Sequence, residues 1–483
     1  MKRTIVIYLL ILAVAGLPIV WLLHAGSSLP APVGTPAVPA AAPAAAAAGD
    51  SSALTAMVAT LAKNSSDPLS HLFLQLIAIL AVSRATGWLF TRFGQPAVVG
   101  EMAAGILLGP SLFGLLAPGS FAFVFPAASL GTLKLLSEVG VCLFMFAVGM
   151  ELNMGLVKHR AHTAVVVSHA GIVFPYLLGV GLAFFVYSHL AAPGATFTAF
   201  ALFMGISMSV TAFPVLARIL QERSLTRTML GSTAITCAAI GDVTAWSILA
   251  FIVAIVRSSS LGGCALNLLL VLVFIAFMVG IVKPLLPHWL GATRLTSDDP
   301  SKGTLAAAIC VTVGAALCTE AIGIHALFGA FLAGAIMPDT DGFRHKLGIR
   351  IENFSSVLLL PLFFAFTGLR TQIGLLNDWQ GWLVCVAIIA VATLGKLGGS
   401  AFSARLTGMT WTDSLQLGAL MNTRGLMELI VLNMGYDLGI LSPRIFTMLV
   451  IMALATTMLT GPLLTLFGER QSSHEELPEF SRS

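Results

Sequence analysis

An aspartate and a lysine sit where ionisable side chains are costly to keep. Asp242 lies near the middle of one long apolar run, in AAIGDVTAW, and Lys396 near the middle of another, in VATLGKLGGS. If these runs are membrane helices, both residues lie near the bilayer midplane, where a charge is rarely kept without a task. A carboxylate at that depth binds a dehydrated cation through oxygen when ionised and holds a proton when not, so the two ligands exclude each other at one site. Exchange follows if the site faces the two sides of the membrane in turn and rarely moves empty. Lys396 fits as a partner that pairs with Asp242 when no cation is bound and releases it by giving up a proton. The structural alternatives are an inert buried ion pair and a lysine that only braces a helix crossing.

Two interrupted apolar runs accompany them. In SVTAFPVLARIL, Pro214 removes a backbone donor and frees carbonyls in the middle of the 197–221 run. In GALMNTRGLMELIVLN, Asn422, Thr423, Arg424 and Gly425 interrupt the 412–436 run. Irregular backbone at membrane depth is tolerated only where protein covers it or water reaches it. Counted by crossings, the two runs point in opposite directions, as the broken helices of an inverted-repeat transporter do, with the site where they cross. Ser209, Thr211, Asn422 and Thr423 are the polar side chains at the breaks, able to neutralise helix ends or help to ligate an ion. A lone Pro in such a helix commonly marks only a kink, so the signal rests on the pair.

Other acids in or near apolar runs are Glu101, Glu138, Glu320 and Glu428, with Glu151 at a helix end. Arg424 and Glu428 stand in the i,i+4 relation of an ion pair on one helix face. His325 and His169 are candidate proton shuttles, or histidines packed between helices. Small residues in GEMAAG and AGILLG permit close helix packing.

Helices must carry these residues through lipid. Of 483 residues 57% are hydrophobic and 10% charged, against about a quarter charged in soluble domains. Runs of about 20 apolar residues, enough to cross a hydrocarbon core, are read at 71–91, 96–113, 130–150, 161–188, 197–221, 226–254, 261–285, 303–320, 322–337, 353–371, 381–405, 412–436 and 443–468. The expectation is an all-α polytopic membrane protein of about thirteen transmembrane helices, spanning 66–468. Ahead of it, residues 1–24 read as a signal peptide or an uncleaved signal anchor, and 25–65 as a Pro/Ala-rich linker on the periplasmic side. Lys and Arg then gather on one face, including Arg92, Lys158, Arg160, Arg223, Arg227, Lys283, Arg294, Arg344 and Arg405, which assigns that face and the tail 469–483 to the cytoplasm. A net charge of +4, with its bases in short loops, leaves no footprint for nucleic acid. The partner expected from composition is membrane lipid. Cys142, Cys237, Cys264, Cys310, Cys318 and Cys385 lack C-x-x-C spacing and read as packing residues.

The ordered stretches QPAVVGEMAAGILLGPS, LFMFAVGMEL, SVTAFPVLARIL, AAIGDVTAW, HALFGAFLAGAIMP, LPLFFAFTGLRT and MNTRGLMELIVLN resemble the monovalent cation:proton antiporter superfamily. The similar branch holds sodium or potassium/proton exchangers, glutathione-gated potassium efflux proteins and plant cation/proton exchangers, over about residues 71–468. The resemblance implies a dimerisation domain and a core ion-translocation domain with two crossed broken helices, working as a homodimer by an elevator motion in the inner membrane. It implies a transporter and no enzyme, with no cofactor beyond the transported sodium or potassium ion and the proton. Asp242 matches the essential ion-binding aspartate, Lys396 the core-domain lysine, Thr211 and residues 422–425 the crossed-helix positions, and Glu151 an acidic helix-end position.

Gly241 departs from that pattern, since relatives usually place Asp, Asn or Gln directly before the essential aspartate. Coupling stoichiometry therefore does not follow from the motif. Because the chain ends about fifteen residues after the last apolar run, a covalently linked nucleotide-binding domain is not expected. An uncoupled, channel-like or sensory protein on the same fold is the alternative that Gly241 keeps open. An organic-anion transporter is disfavoured, because a buried aspartate repels anions.

Overall fold

Once water is excluded, every backbone N–H and C=O must be bonded within its own segment or to a neighbour, and long apolar runs therefore wind into helices. The computed structural model, which describes residues 16, 18–27, 68–151, 157–226, 228–257, 261–290, 301–338 and 342–468, is all-helical apart from one antiparallel bridge between Ala191 and Leu441. Ten of its helical spans are long and apolar enough to cross a membrane. Most of the first apolar stretch, the linker from residue 28, the tail 469–483 and the side chains of Lys158, Arg160, Arg227, Cys264 and Arg294 lie outside the described residues.

The first long helices are α1 (Pro68–Arg92), α2 (Ala97–Leu108), α3 (Leu130–Glu151) and α4 (Val157–Leu190). The run expected at 197–221 is two short helices, α5 (Phe197–Ser207) and α6 (Phe213–Glu222), and α7 (Met229–Arg257) follows unbroken. Helix α8 (Leu261–Phe277) continues through a π turn, Met278–Val282, into Lys283–Leu290. A left-handed Gly323 at φ +93° turns the chain from α9 (Lys302–Ile322) into α10 (Ala326–Ala335). Ten residues rise only about 15 Å, half of what a hydrocarbon core asks for, so α10 falls short of the crossing expected at 322–337.

Helix α11 begins at Phe343, ahead of the apolar run expected from residue 353, and continues through a π turn to Arg370. Its first part is amphipathic: Phe343, Leu347 and Ile351 are buried at i, i+4 and i+8, and the charges between them hid this turn from a search for apolar runs. The chain closes with α12 (Trp379–Leu406), the interrupted pair α13 (Trp411–Met421) and α14 (Leu426–Asp437), and α15 (Pro443–Leu466).

The helices pack as two sets. Helix α2 packs on α1 and α11, and α3 packs on α10 and α11. Helix α4 packs on α5, α7 and α12, while α13 and α15 pack on α12, and α14 on α5 and α15. The expected close packing through small residues is present on α2: a Cβ at Gly105 would come within 2.1 Å of the Phe364 carbonyl oxygen of α11. The largest apolar core joins the two sets, with Met145 of α3 and Phe364 of α11 in one cluster with Phe200, Phe203, Met204, Phe446 and Leu449, all buried. Residues 18–26 are helical, and Ile19, Leu22 and Leu23 pack against that core.

Candidate functional site

The break between α5 and α6 leaves carbonyls that have no partner within the helix. Pro214 stands in the first turn of α6 rather than inside a kinked helix, a position where a missing N–H costs nothing. The freed carbonyls of α5 are taken by two cations, one from α12 and one from the break between α13 and α14. Arg424 Nη1 donates to Ser207 O at 2.7 Å and its Nη2 to Met208 O at 2.6 Å, while Lys396 Nζ donates to Ser209 O. A helix C-terminus carries partial negative charge, so both cations sit where the backbone attracts them.

The second break is bonded to the first. Thr211 Oγ1 donates to Met421 O at 3.1 Å and Ala212 N to Thr423 O at 3.0 Å, so the break after α5 covers the open end of α13. Gly425 opens α14 at φ +152°, a backbone region that is nearly glycine's alone. Thr457 on α15 closes the loop: Arg424 N donates to its hydroxyl at 3.1 Å, and the hydroxyl donates to Arg424 O at 2.9 Å. The i,i+4 pair is formed as well, with Arg424 Nη1 donating to Glu428 Oε2 at 3.0 Å and both side chains fully buried.

Asp242 lies on α7 and is 2% exposed, and neither carboxylate oxygen has a hydrogen-bond partner among the described residues. Cys237 and Ala238, one turn earlier, share an apolar cluster with Ala212 and Val215 of the first break and with Leu420 and Met421 of the second. The helix bearing the carboxylate thus packs against both breaks. Lys396 on α12 is 1% exposed. Its ammonium donates to the Ser209 carbonyl, and it is not within hydrogen-bond distance of either oxygen of Asp242.

Of the polar residues expected at the breaks, Ser209 turns away, donating to Gly205 O at 2.7 Å and Ile172 O at 3.0 Å. Thr423 Oγ1 lies 3.4 Å from Thr460 Oγ1. Asn422 is fully buried with both side-chain polar atoms unpartnered. Gly241 leaves open the space in front of Ser168, a fully buried serine on α4 whose hydroxyl also lacks a partner. A serine or threonine within an apolar helix gives no local signal, so neither Ser168 nor Thr457 is marked by its sequence context.

Of the other acids, Glu151 lies within electrostatic reach of Asp242. Glu101 pairs with Arg84 of α1 at 3.7 Å, and Glu151 ends α3 exposed. Glu138 lies 3.6 Å from Lys134, and Glu320 accepts from Ala326 N at 2.9 Å. His169 Nδ1 lies 2.8 Å from Val165 O, which makes it the donor, and Nε2 lies 3.5 Å from Thr244 Oγ1. His325 lines a cavity of about 670 Å³ together with Lys134, Glu138, Arg257, Glu320 and Asp437. There Arg370 and Lys134 of the first helix set reach Asp437 of α14 at 2.7 and 3.1 Å, and Arg370 Nη1 donates to Asn433 Oδ1 at 3.0 Å.

Residues 77–470 match the family model described as sodium/hydrogen exchanger, transmembrane. The Na(+)/H(+) antiporter NhaS4 of Synechocystis sp. is 44% identical over 389 residues, which cover 80% of this chain and 95% of that protein. Cation/H(+) antiporter 17 of Arabidopsis thaliana is 39% identical over 414 residues, covering 82% of this chain and 49% of the plant protein, so the chain spans about half the length of that relative. Among solved structures, the sodium proton antiporter MjNhaP1 of Methanocaldococcus jannaschii has the same fold, with a TM-score of 0.56 at 16% identity over 85% of this chain and all of that one.

Proposed function

The chain belongs to the sodium/hydrogen exchanger family, and on that premise we propose that it is a secondary active antiporter exchanging sodium or potassium for protons by alternating access at Asp242. The observation that carries this reading is the carboxylate itself, enclosed beside two broken helices with both oxygens unpartnered. A buried acid without partners is costly. The cost falls when the group is protonated or when a cation sits on it, and these are the two states an antiporter alternates between. The similarity to a sodium/proton and a cation/proton antiporter supports the same reading.

The rest of the assignment follows from it. About thirteen helices form inverted repeats, the set α4–α7 with α12–α15 carries the ion past the set built on α1–α3 and α9–α11, and two copies pair in the inner membrane with the C-terminus cytoplasmic. Packing of residues 18–26 on the core supports a retained anchor over a cleaved signal. Lys396 and Arg424 hold the open end of α5, and the site's own ligands are Asp242 and the unpartnered Asn422.

Purified protein in liposomes, given sodium, potassium, lithium or rubidium at several pH values, tests the proposal. Addition of a transported cation is expected to move protons, and Asp242→Asn to abolish the movement. Normal exchange by that variant would sink the assignment, and cation flux indifferent to a proton gradient would mark an uncoupled pathway instead.

A further inference from the structure

Serines and threonines in apolar helices ordinarily return their hydroxyl proton to a carbonyl three or four residues back. Ser403, Thr236, Thr244, Ser247 and Thr456 of this chain all do so. Ser168 on α4 does not: it is fully buried, and its hydroxyl has no partner among the described residues. The hydroxyl faces position 241 of α7, where a Cβ would lie 3.1 Å from Ser168 Oγ. Only a glycine leaves that space to the serine. One residue further along α7 stands Asp242 with two oxygens equally unpartnered. The register between the helices is tied a second time, by His169 Nε2 at 3.5 Å from Thr244 Oγ1.

We propose that Ser168 is a ligand of the transported cation, supplying from α4 the neutral oxygen that α7 cannot supply at Gly241. The assignment rests on Asp242 as the ion site and deepens it. A hard monovalent cation that has shed water needs several oxygens around it, and one carboxylate offers two at most. A hydroxyl adds a dipole without adding charge, so it improves binding of the cation without competing for the proton. Other buried helical hydroxyls, such as those of Ser400 and Ser414, are likewise unpartnered, but Ser168 is the one that faces the residue preceding Asp242. It stays turned toward position 241, on the helix face that meets the bearer of the carboxylate.

The test is cation-dependent proton movement in proteoliposomes of wild type, Ser168→Ala, Gly241→Asn, the double variant and Asp242→Asn, each confirmed as folded by gel filtration. Ser168→Ala is expected to raise the apparent KM for the transported cation about tenfold, the worth of one hydrogen-bond-like ligand, with the maximal rate within about twofold of wild type. Gly241→Asn alone crowds Ser168 and is expected to weaken binding as well. Combined with Ser168→Ala, the carboxamide takes the vacated space and the KM returns toward the wild-type value, a rescue that a packing role would not produce. Should Ser168→Ala fail to fold, Ser168→Cys keeps the volume and replaces a hard oxygen by a soft sulfur, with the same rise expected. An unchanged KM for every cation in folded Ser168→Ala or Ser168→Cys, with Asp242→Asn inactive, overturns the Ser168 assignment alone. Normal exchange by Asp242→Asn overturns the site on which it rests.

Discussion

The guanidinium of Arg424 donates to the carbonyl of Met208 at 2.6 Å, so a cation at the start of one broken helix closes the end of the other. The same side chain holds Ser207 O and Glu428. Three obligations of a polar site in an apolar interior are met by one residue: a helix end is neutralised, an acid is paired, and two segments are fastened together.

Removing Arg424 is therefore expected to be costly. Arg424→Ala leaves Glu428 buried and unpaired and frees the α5 carbonyls, a loss of about 3–5 kcal/mol by the behaviour of buried pairs cut on one side. Arg424→Met with Glu428→Leu, which removes both charges, is expected to recover part of that loss. Thermal unfolding of the detergent-solubilised protein measures the order, and equal stability of the two variants would contradict it.

Gly425 is expected to tolerate no side chain. At φ +152° an alanine is strained by about 1–3 kcal/mol, and its Cβ would press to 3.0 Å on Val215 Cγ2. Val215→Ala relieves the contact and not the backbone, so Gly425→Ala with Val215→Ala should regain only part of the lost melting temperature. Full recovery would place the whole cost in the contact.

Asp437 bridges the two helix sets through Arg370 at 2.7 Å and Lys134 at 3.1 Å. Asp437→Asn removes the charge that pairs with both cations, beside the cavity that Lys134 and Asp437 line. With Cys142, which lines that cavity, as the sole cysteine, the variant is expected to react several-fold faster with a membrane-impermeant maleimide. A rate unchanged from the parent would mean that these ion pairs do not limit access to Cys142.

Asp378 lies between helices, accepts from Gly381 N at 3.3 Å as the cap of α12, and is bonded by Arg444. The arginine's hydrogen bond holds the carboxyl below its ordinary range. A folded-state pKa below the unfolded one contributes stability that is present above the unfolded value, about 3.9, and is lost as pH falls through the folded value. Asp378→Asn keeps a capping oxygen and loses the charge. Its melting temperature is expected to lie slightly below wild type at pH 7, with the gap closing as pH falls below about 4. A gap independent of pH would point to the cap and away from the ion pair.

Much of this was legible along the chain. The membrane class, most of the apolar helices, the two interruptions and the isolation of Asp242 and Lys396 follow from residue type and run length, because the cost of a charge or an unbonded backbone group in lipid is set locally. The start of α11 was hidden by its charges, and the brevity of α10 by a turn within an apolar run.

What only the folded chain decided are the meetings between distant segments. Thr211 and Met421 stand 210 positions apart and share a hydrogen bond, and Lys396 donates to the Ser209 carbonyl 187 positions before it. No pattern along the sequence encodes which carbonyl an ammonium will find, nor that Ser168 would face the space above Gly241. Those outcomes depend on the register between packed helices. The register is the summed result of many small apolar contacts, whereas the charges that make the site legible act one residue at a time.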